Sequence, residues 1–367
     1  MSRHMAFRRQ PVDGQNAQNL KTITLAAPTR GIVMDENEAY MKPGGCIVSD
    51  NWLPTLRGLK LRGGCVRWCD VHALDAPAWV VSHVYTVGTR AYDGATGTFW
   101  DVAVAHTSAA TPTTFAQDRA AHPTFWTDAT ASVTRLPLIS GFEYVSGNIA
   151  KMFAANATKL FEVTNATPVL VKSGQTSGNY SASQLANAAG DFLLAVNDNG
   201  DFPLRFKGAT WVVLDPALGA PADGASAITY NVLPAGVTQG KGLTYVWKYR
   251  NRWFFIQGGT MDAWYLPLDA VGGVLQKVPL SGAASKGGSL LFGATWSIDA
   301  GDGIDDKCVF VTNQGEVIVF TGGDPSVATG STPWHQEGVY AISPPMGMNA
   351  WTSVGGDLLI ATVDGIV

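Results

Sequence analysis

Charge is scarce in this sequence: Asp, Glu, Lys and Arg together make up 15% of its 367 residues. Long solvent-facing helices draw on Glu, Lys and Arg, so a chain this poor in them is not built mainly of amphipathic helices. A basic excess is missing too, with 25 Lys and Arg against 29 Asp and Glu and a net charge of -4. Proteins that grip nucleic acid by its phosphates are ordinarily basic, which argues against tight wrapping of DNA or RNA but not against DNA passing nearby. The four cysteines, Cys46, Cys65, Cys69 and Cys308, are too few for a disulfide scaffold of this size. No apolar run approaches the roughly 18 residues of a membrane helix. The opening Met1-Ser-Arg-His-Met5-Ala-Phe-Arg-Arg lacks the apolar stretch of a secretory leader. The expectation is a soluble protein made and kept in the cytoplasm, with no membrane span.

What the chain does have is apolar residues, at 46%, and glycine, at 41 residues. That combination points to short strands joined by tight turns. The first 25 or so residues are polar and rich in Gln and Asn, and read as an extended arm. Ala27-Pro-Thr-Arg-Gly, Met41-Lys-Pro-Gly-Gly-Cys46 and Asp50-Asn-Trp-Leu-Pro54 read as turn punctuation. Leu59-Lys-Leu-Arg62 alternates as a half-buried strand does.

From Trp79 onward one pattern returns. An apolar run, a turn and a second apolar run recur, with the first run at Ile149, Phe192, Trp253, Cys308 and Leu358. The turns are Asn156-Ala-Thr, Asn197-Asp-Asn-Gly, Gln257-Gly-Gly-Thr, Thr312-Asn-Gln-Gly and Val363-Asp-Gly. The returning runs are Lys159-Leu-Phe-Glu-Val, Phe202-Pro-Leu-Arg-Phe, Ala263-Trp-Tyr-Leu and Val317-Ile-Val-Phe. Asn, Asp and Gly supply the positive φ of tight hairpin turns. A weaker copy begins at Trp79, with Tyr92-Asp-Gly as its turn. The fold class predicted is all-β: a β-propeller-like array of antiparallel hairpin blades behind an extended N-terminal arm. A β-sandwich would also give many short strands, and the recurrent spacing favours the propeller. The domains read as 1–70, arm and docking segment, and 71–367, a propeller-like domain that stops inside its fifth copy, so that either the early chain pairs with its end or the chain continues.

Candidate chemistry is thin. Cys65-x3-Cys69-x2-His72, with Cys46 upstream, is a set of four potential zinc ligands, but the spacing lacks a Cys-x2-Cys pair, and free thiols are the better reading. Asp299, Asp302, Asp305 and Asp306 form an acidic run with two glycines. It does not match the helix-flanked calcium loop, and an acidic turn is favoured. His4, His72, His83, His106, His122 and His335 stand in no triad or two-His metal spacing. No nucleophile-elbow, phosphate-loop or sialidase aspartate-box motif is found. Arg57, Lys60, Arg62 and Arg67 concentrate basic charge, with Lys60 and Arg62 on one strand face, available to an acidic partner or simply solvated. Of the 12 Trp, Trp253 and Trp264 read as blade core, while Trp334 and Trp351 read as loop aromatics at an interface. The expected lists of catalytic, cofactor-binding and metal residues are therefore empty, with no enzyme activity and no cofactor.

Two stretches carry a resemblance. The first is Ala27-Pro-Thr-Arg-Gly, Asp50-Asn-Trp-Leu-Pro and Leu59-Lys-Leu-Arg-Gly-Gly. The second is Asn251-Arg-Trp-Phe-Phe-Ile, Ala263-Trp-Tyr-Leu-Pro-Leu-Asp, Gly287-Gly-Ser-Leu-Leu-Phe-Gly-Ala-Thr-Trp-Ser-Ile-Asp-Ala-Gly-Asp-Gly and Gly355-Gly-Asp-Leu-Leu-Ile-Ala-Thr-Val-Asp-Gly. Both resemble the tail nozzle, or packaged-DNA-stabilisation, proteins of short-tailed bacteriophages. Trp79 to about Tyr245 is less distinctive, and members of that family are usually longer. The resemblance implies a virion structural protein of the viral tail, made in the host cytoplasm. It implies a homo-oligomeric, hexameric ring below the portal and adaptor, which retains packaged DNA and releases it during ejection without sequence-specific binding. A mildly acidic channel wall would let DNA slide. The alternative is a propeller-type receptor protein that binds glycan through loop aromatics, with a propeller hydrolase a distant third.

Overall fold

The computed structural model describes residues 68–108, 110, 114–297, 306–330 and 333–367, together with four short strands upstream. The chain divides into two units, Met1–Val66 and Arg67–Val367. In the first, Gly31–Ile32 pairs in parallel with Gly45–Cys46, and Trp52–Thr55 pairs antiparallel with Gly58–Leu61. Gly45–Cys46 and Trp52-Leu53-Pro54, read from sequence as turns, are therefore strands. Every strand of a two-stranded ladder is an edge, where the missing N–H of a proline is tolerated.

The second unit is a propeller-like array of antiparallel blades. Blade 1 is the meander Leu138–Ser146, Ile149–Asn156, Lys159–Glu162 and Val169–Ser173. Blade 2 is Tyr180–Asn187, Gly190–Asn197, Leu204–Lys207 and Thr210–Val213. Blade 3 is Leu243–Tyr249, Arg252–Gln257, Asp262–Tyr265 and Gly273–Pro279, and Ile228–Tyr230 adds a fifth strand in parallel at its outer edge. Blade 4 is Leu290–Trp296, Lys307–Thr312, Glu316–Thr321 and His335–Ala341. Blade 5 has three strands, Trp351–Val354, Asp357–Thr362 and Gly365–Ile366.

The hairpins read from sequence are thus the second and third strands of each blade. The first and fourth strands, and Ile228–Tyr230, went unread because they mix polar and apolar residues. In blade 2 the returning strand begins at Leu204, not Phe202. Ahead of the blades, Arg90–Asp93, Thr98–Val102 and Trp126–Asp128 form a small sheet. Val84–Tyr85 pairs with His106–Thr107, and a helix spans Phe115–Ala121. The early copy expected at Trp79 is this module. Its hairpin turn does follow Tyr92-Asp93, but Trp79 itself lies outside any strand.

Blades stack face to face, and the cores lie between them. Phe153 and Leu160 of blade 1 meet Leu193, Ala195 and Phe206 of blade 2. On the other face of the same blade 2 strand, Phe192, Leu194 and Val196 meet Trp253 and Phe255 of blade 3. Phe254 and Ile256 of blade 3 then meet Phe292, Val309 and Phe310 of blade 4, a cluster that extends to Ile360 of blade 5. Successive residues of a strand point to opposite faces. A strand sandwiched between two blades must be apolar at every position, which is why Trp253-Phe-Phe-Ile is unbroken.

Each second strand ends in a buried polar residue: Asn156, Asn197, Gln257, Thr312 and Thr362. Four of these side chains bond within the turn that follows, Thr362 by donating to the Gly365 carbonyl at 2.8 Å and the other three by accepting backbone N–H groups. Asn156 Oδ1 accepts from the Lys159 N–H at 2.8 Å, Asn197 Oδ1 from Asp201 at 3.0 Å, and Thr312 Oγ1 from Glu316 at 3.0 Å. These bonds satisfy backbone donors at a point where the ladder runs out.

Candidate functional site

The first strands of blades 2 to 5 converge on one cavity of about 280 Å³, lined by Ser183, Tyr245, Lys248, Thr295, Trp351 and Ser353, among others. An innermost strand has one free edge, whose N–H and C=O groups need partners. Side chains of the neighbouring blade supply them. Gln184 of blade 2 donates to the Val145 carbonyl of blade 1 at 2.5 Å and accepts from the Val145 N–H at 3.1 Å. Ser181 of blade 2 donates to the Val246 carbonyl of blade 3 at 2.9 Å, and Thr295 of blade 4 donates to the Lys248 carbonyl at 2.5 Å. Trp351 of blade 5 donates through Nε1 to the Tyr245 hydroxyl at 2.7 Å. Burial pushes the Tyr245 phenol up to about 12, against the opposing hydrogen bonds of Trp351 and Ser181, so the phenol stays protonated at neutral pH.

The cavity is smaller than the ~300 Å³ at which pockets for drug-sized ligands begin. It has room for a small solute and none for a nucleic-acid duplex. Among the described residues its lining carries one cation, Lys248, and no carboxylate.

The residues singled out from sequence are placed as follows. Cys65 and the side chain of Cys46 lie outside the described residues. Cys69 is a free thiol, pushed up by burial and then by the Asp70 charge. His72 Nδ1 sits 2.9 Å from Asp75, which also takes Lys159 at 2.6 Å, so these groups pair with one another. Among the described residues no three His, Cys, Asp or Glu gather as a metal site. Asp299, Asp302 and Asp305 lie outside the described residues. Asp306 is buried, and its carbonyl accepts from the Tyr249 hydroxyl at 3.0 Å. Arg57, Arg62 and Arg67 lie outside the described residues. Lys60 stands on a strand opposite Leu53.

Trp253 and Trp264 are buried blade core, as read. Trp334 and Trp351 are not free loop aromatics. Trp334 stacks on Phe320 at 5.0 Å and on Phe254 at 6.0 Å, and Trp351 begins a strand and stacks on Phe292 at 6.3 Å. Both rings wedge between strands, because the gaps between twisted sheets take a large flat side chain.

Sequence reasoning missed two groupings. Arg205 is fully buried and holds Asp223 through two bonds, at 2.6 and 2.7 Å, while also donating to the carbonyls of Ala225, Ser226 and Val271. It is a structural knot that pins the 214–228 loop between blades 2 and 3. The other grouping is His83, His106 and His122, which the fold brings around Tyr85 and Phe125. Neither has a spacing signal, since the partners come from separate elements.

No known protein family and no curated protein matches the chain. Among solved structures it is similar to BBS1N, crystallised in complex with ARL6DN, at 9% identity and a TM-score of 0.36. That overlap covers 63% of this chain and 64% of the other, just under two thirds of its length. So loose an overlap adds nothing to the blade topology, on which the fold assignment rests.

Proposed function

We propose that this chain is a structural protein of a bacteriophage tail, of the nozzle type, acting as a subunit of an oligomeric ring below the portal and adaptor. The observation that carries the reading is where the phage-like segments fall. Asn251-Arg-Trp-Phe-Phe-Ile is the turn and second strand of blade 3, and Ala263-Trp-Tyr its third. Leu290-Leu-Phe-Gly-Ala-Thr-Trp is the first strand of blade 4, and Asp357–Ile366 the hairpin of blade 5. The resemblance therefore runs through the scaffold that makes the shared cores, which suits a passive structural role with no catalytic step and no cofactor.

In this reading DNA passes through the channel at the centre of the ring of subunits; the cavity of about 280 Å³ within one subunit has no room for a duplex. A ring needs head-to-tail contacts between unlike surfaces. Trp334 and Trp351, the loop aromatics on which the glycan-receptor reading leaned, are half-buried and pack against the core shared by blades 3 to 5, which lends that reading less support. Cryo-electron imaging of the virion that carries the chain tests the proposal. The expected result is a ring of copies around the DNA exit path. Absence from the tail, or a stoichiometry that cannot form a ring, overturns it.

A further inference from the structure

His106 lies in the module ahead of blade 1, its ring 4.9 Å from Phe125, 5.1 Å from Trp126, 5.7 Å from Tyr85 and 6.2 Å from His122. Its Nδ1 is 2.8 Å from the Val104 carbonyl oxygen. A carbonyl only accepts, so Nδ1 carries a proton and Nε2 is the nitrogen left to take up a second. Nε2 is buried without a hydrogen-bond partner, 3.8 Å from Asp118 Oδ2. Asp118 is fully buried on the helix Phe115–Ala121. Its Oδ2 accepts from Trp126 Nε1 at 3.0 Å, and its Oδ1 has no partner. A buried carboxylate with one hydrogen bond, facing an imidazole nitrogen with none, is a site short of one proton.

We propose that His106 and Asp118 form a proton-operated latch that fastens the helix Phe115–Ala121 to the small sheets of this module. With one proton between them, Nε2 and Oδ2 close into a charge-assisted hydrogen bond. Released to solvent, the proton leaves a bare carboxylate in an apolar site, and the helix loosens. The latch is closed in acid and opens as pH rises. This does not depend on the tail assignment.

The groups around the pair leave it in control. From the helix come Asp118 itself and His122 at its end. From the strand Val84–Tyr85 comes Tyr85, whose phenol is pushed up by burial and by the Asp118 charge, against a bond to Val80. His83 is exposed and meets the Tyr85 ring edge-on at 4.7 Å. Phe125 and Trp126 carry no charge. Arg119 points elsewhere, bound to Asp93 at 2.8 Å and lying 4.1 Å over Trp100. Among the described residues no third metal-ligating group joins the pair, which favours a proton over a metal ion as its occupant.

Hydrogen exchange on the full chain between about pH 5 and 9, read as protection factors, tests the latch. Amides of residues 115–126 should lose protection on the order of tenfold or more as pH rises, while those of 252–257 in blade 3 hold. Asp118→Asn keeps an acceptor for Trp126 and removes the charge, so its profile should be flat, as should that of His106→Gln. His122→Gln should keep the wild-type profile. A wild-type profile unchanged by Asp118→Asn overturns the proposal. So does protection restored at high pH by added zinc, which would mark a metal site. If a variant fails to fold, the wild-type Trp126 indole N–H resonance must shift with the His106 ring titration; an indole signal that stays put overturns the latch as well.

Discussion

Blades 3 and 1 share one topology and differ in texture. In blade 3 the second strand, Arg252–Gln257, is buried at every position; in blade 1 the equivalent Ile149–Asn156 is exposed at Ile149, Ala150 and Met152. The difference is one of neighbours. Blade 3 is pressed between blades 2 and 4, so both of its faces lose contact with water. Blade 1 packs one face on blade 2, while Ala154 and Phe161 on its other face are covered by Val71. Burial in this fold is a property of position in the stack, and the apolar content of each hairpin follows it.

The sharpest way to break that comparison is a matched truncation. Phe254→Ala removes a ring with no exposed surface that touches Trp247, Tyr249, Tyr265 and Phe310. It should cost about 3–5 kcal/mol. Met152→Ala removes a side chain that is 53% exposed and should stay within about 0.5 kcal/mol. Denaturant midpoints for the pair decide it, and similar losses would mean that the two blades are covered alike.

Arg205 and Asp223 offer the next largest effect. Asp223→Ala strands a fully buried guanidinium and should cost roughly 3–5 kcal/mol. Burial alone would raise the Asp223 carboxyl, but the Arg205 bonds outweigh it and hold the carboxyl below its ordinary range. A carboxyl lowered by folding adds stability above its unfolded value of about 3.9, and that contribution disappears as pH falls through the folded value. Acid titration of stability below about pH 4 should therefore be steeper in the native chain than in Asp223→Asn.

Gly293 probes the seam between blades 3 and 4, because a Cβ there would collide with the Trp247 ring. Gly293→Ala should cost about 1–3 kcal/mol by overpacking, and should move the near-ultraviolet signal of the tryptophans. The smallest effect sharpens the hairpin ends. Asn197→Ala removes the side chain that closes the blade 2 turn and should cost about 1 kcal/mol, with faster exchange at the Asp201 amide. Gly200, at φ +69°, would remain in place to hold the turn.

The central hairpins were legible because double burial writes an unbroken apolar run, and because the turn after it needs Asn, Asp or Gly. The first strands were not. Ser181, Gln184 and Thr295 look like ordinary surface residues until a neighbouring blade brings an unpaired backbone to them. Trp351 read as a loop aromatic for the same reason: its partners, Tyr245 and Phe292, belong to other blades. The histidines were scattered at 83, 106 and 122, and no periodicity links a loop, a strand and a helix end.

By itself the sequence determined the class of fold. Apolar alternation, turn chemistry and low charge act over a few residues, and they specify strands and hairpins wherever they occur. Only the tertiary structure decided which hairpins are sealed on two faces, which hydroxyls stitch one blade to the next, and that Asp118 faces His106 in an apolar pocket. Those outcomes depend on groups far apart in the chain meeting at a few ångströms, where desolvation and hydrogen bonding are set by the neighbour and not by the residue.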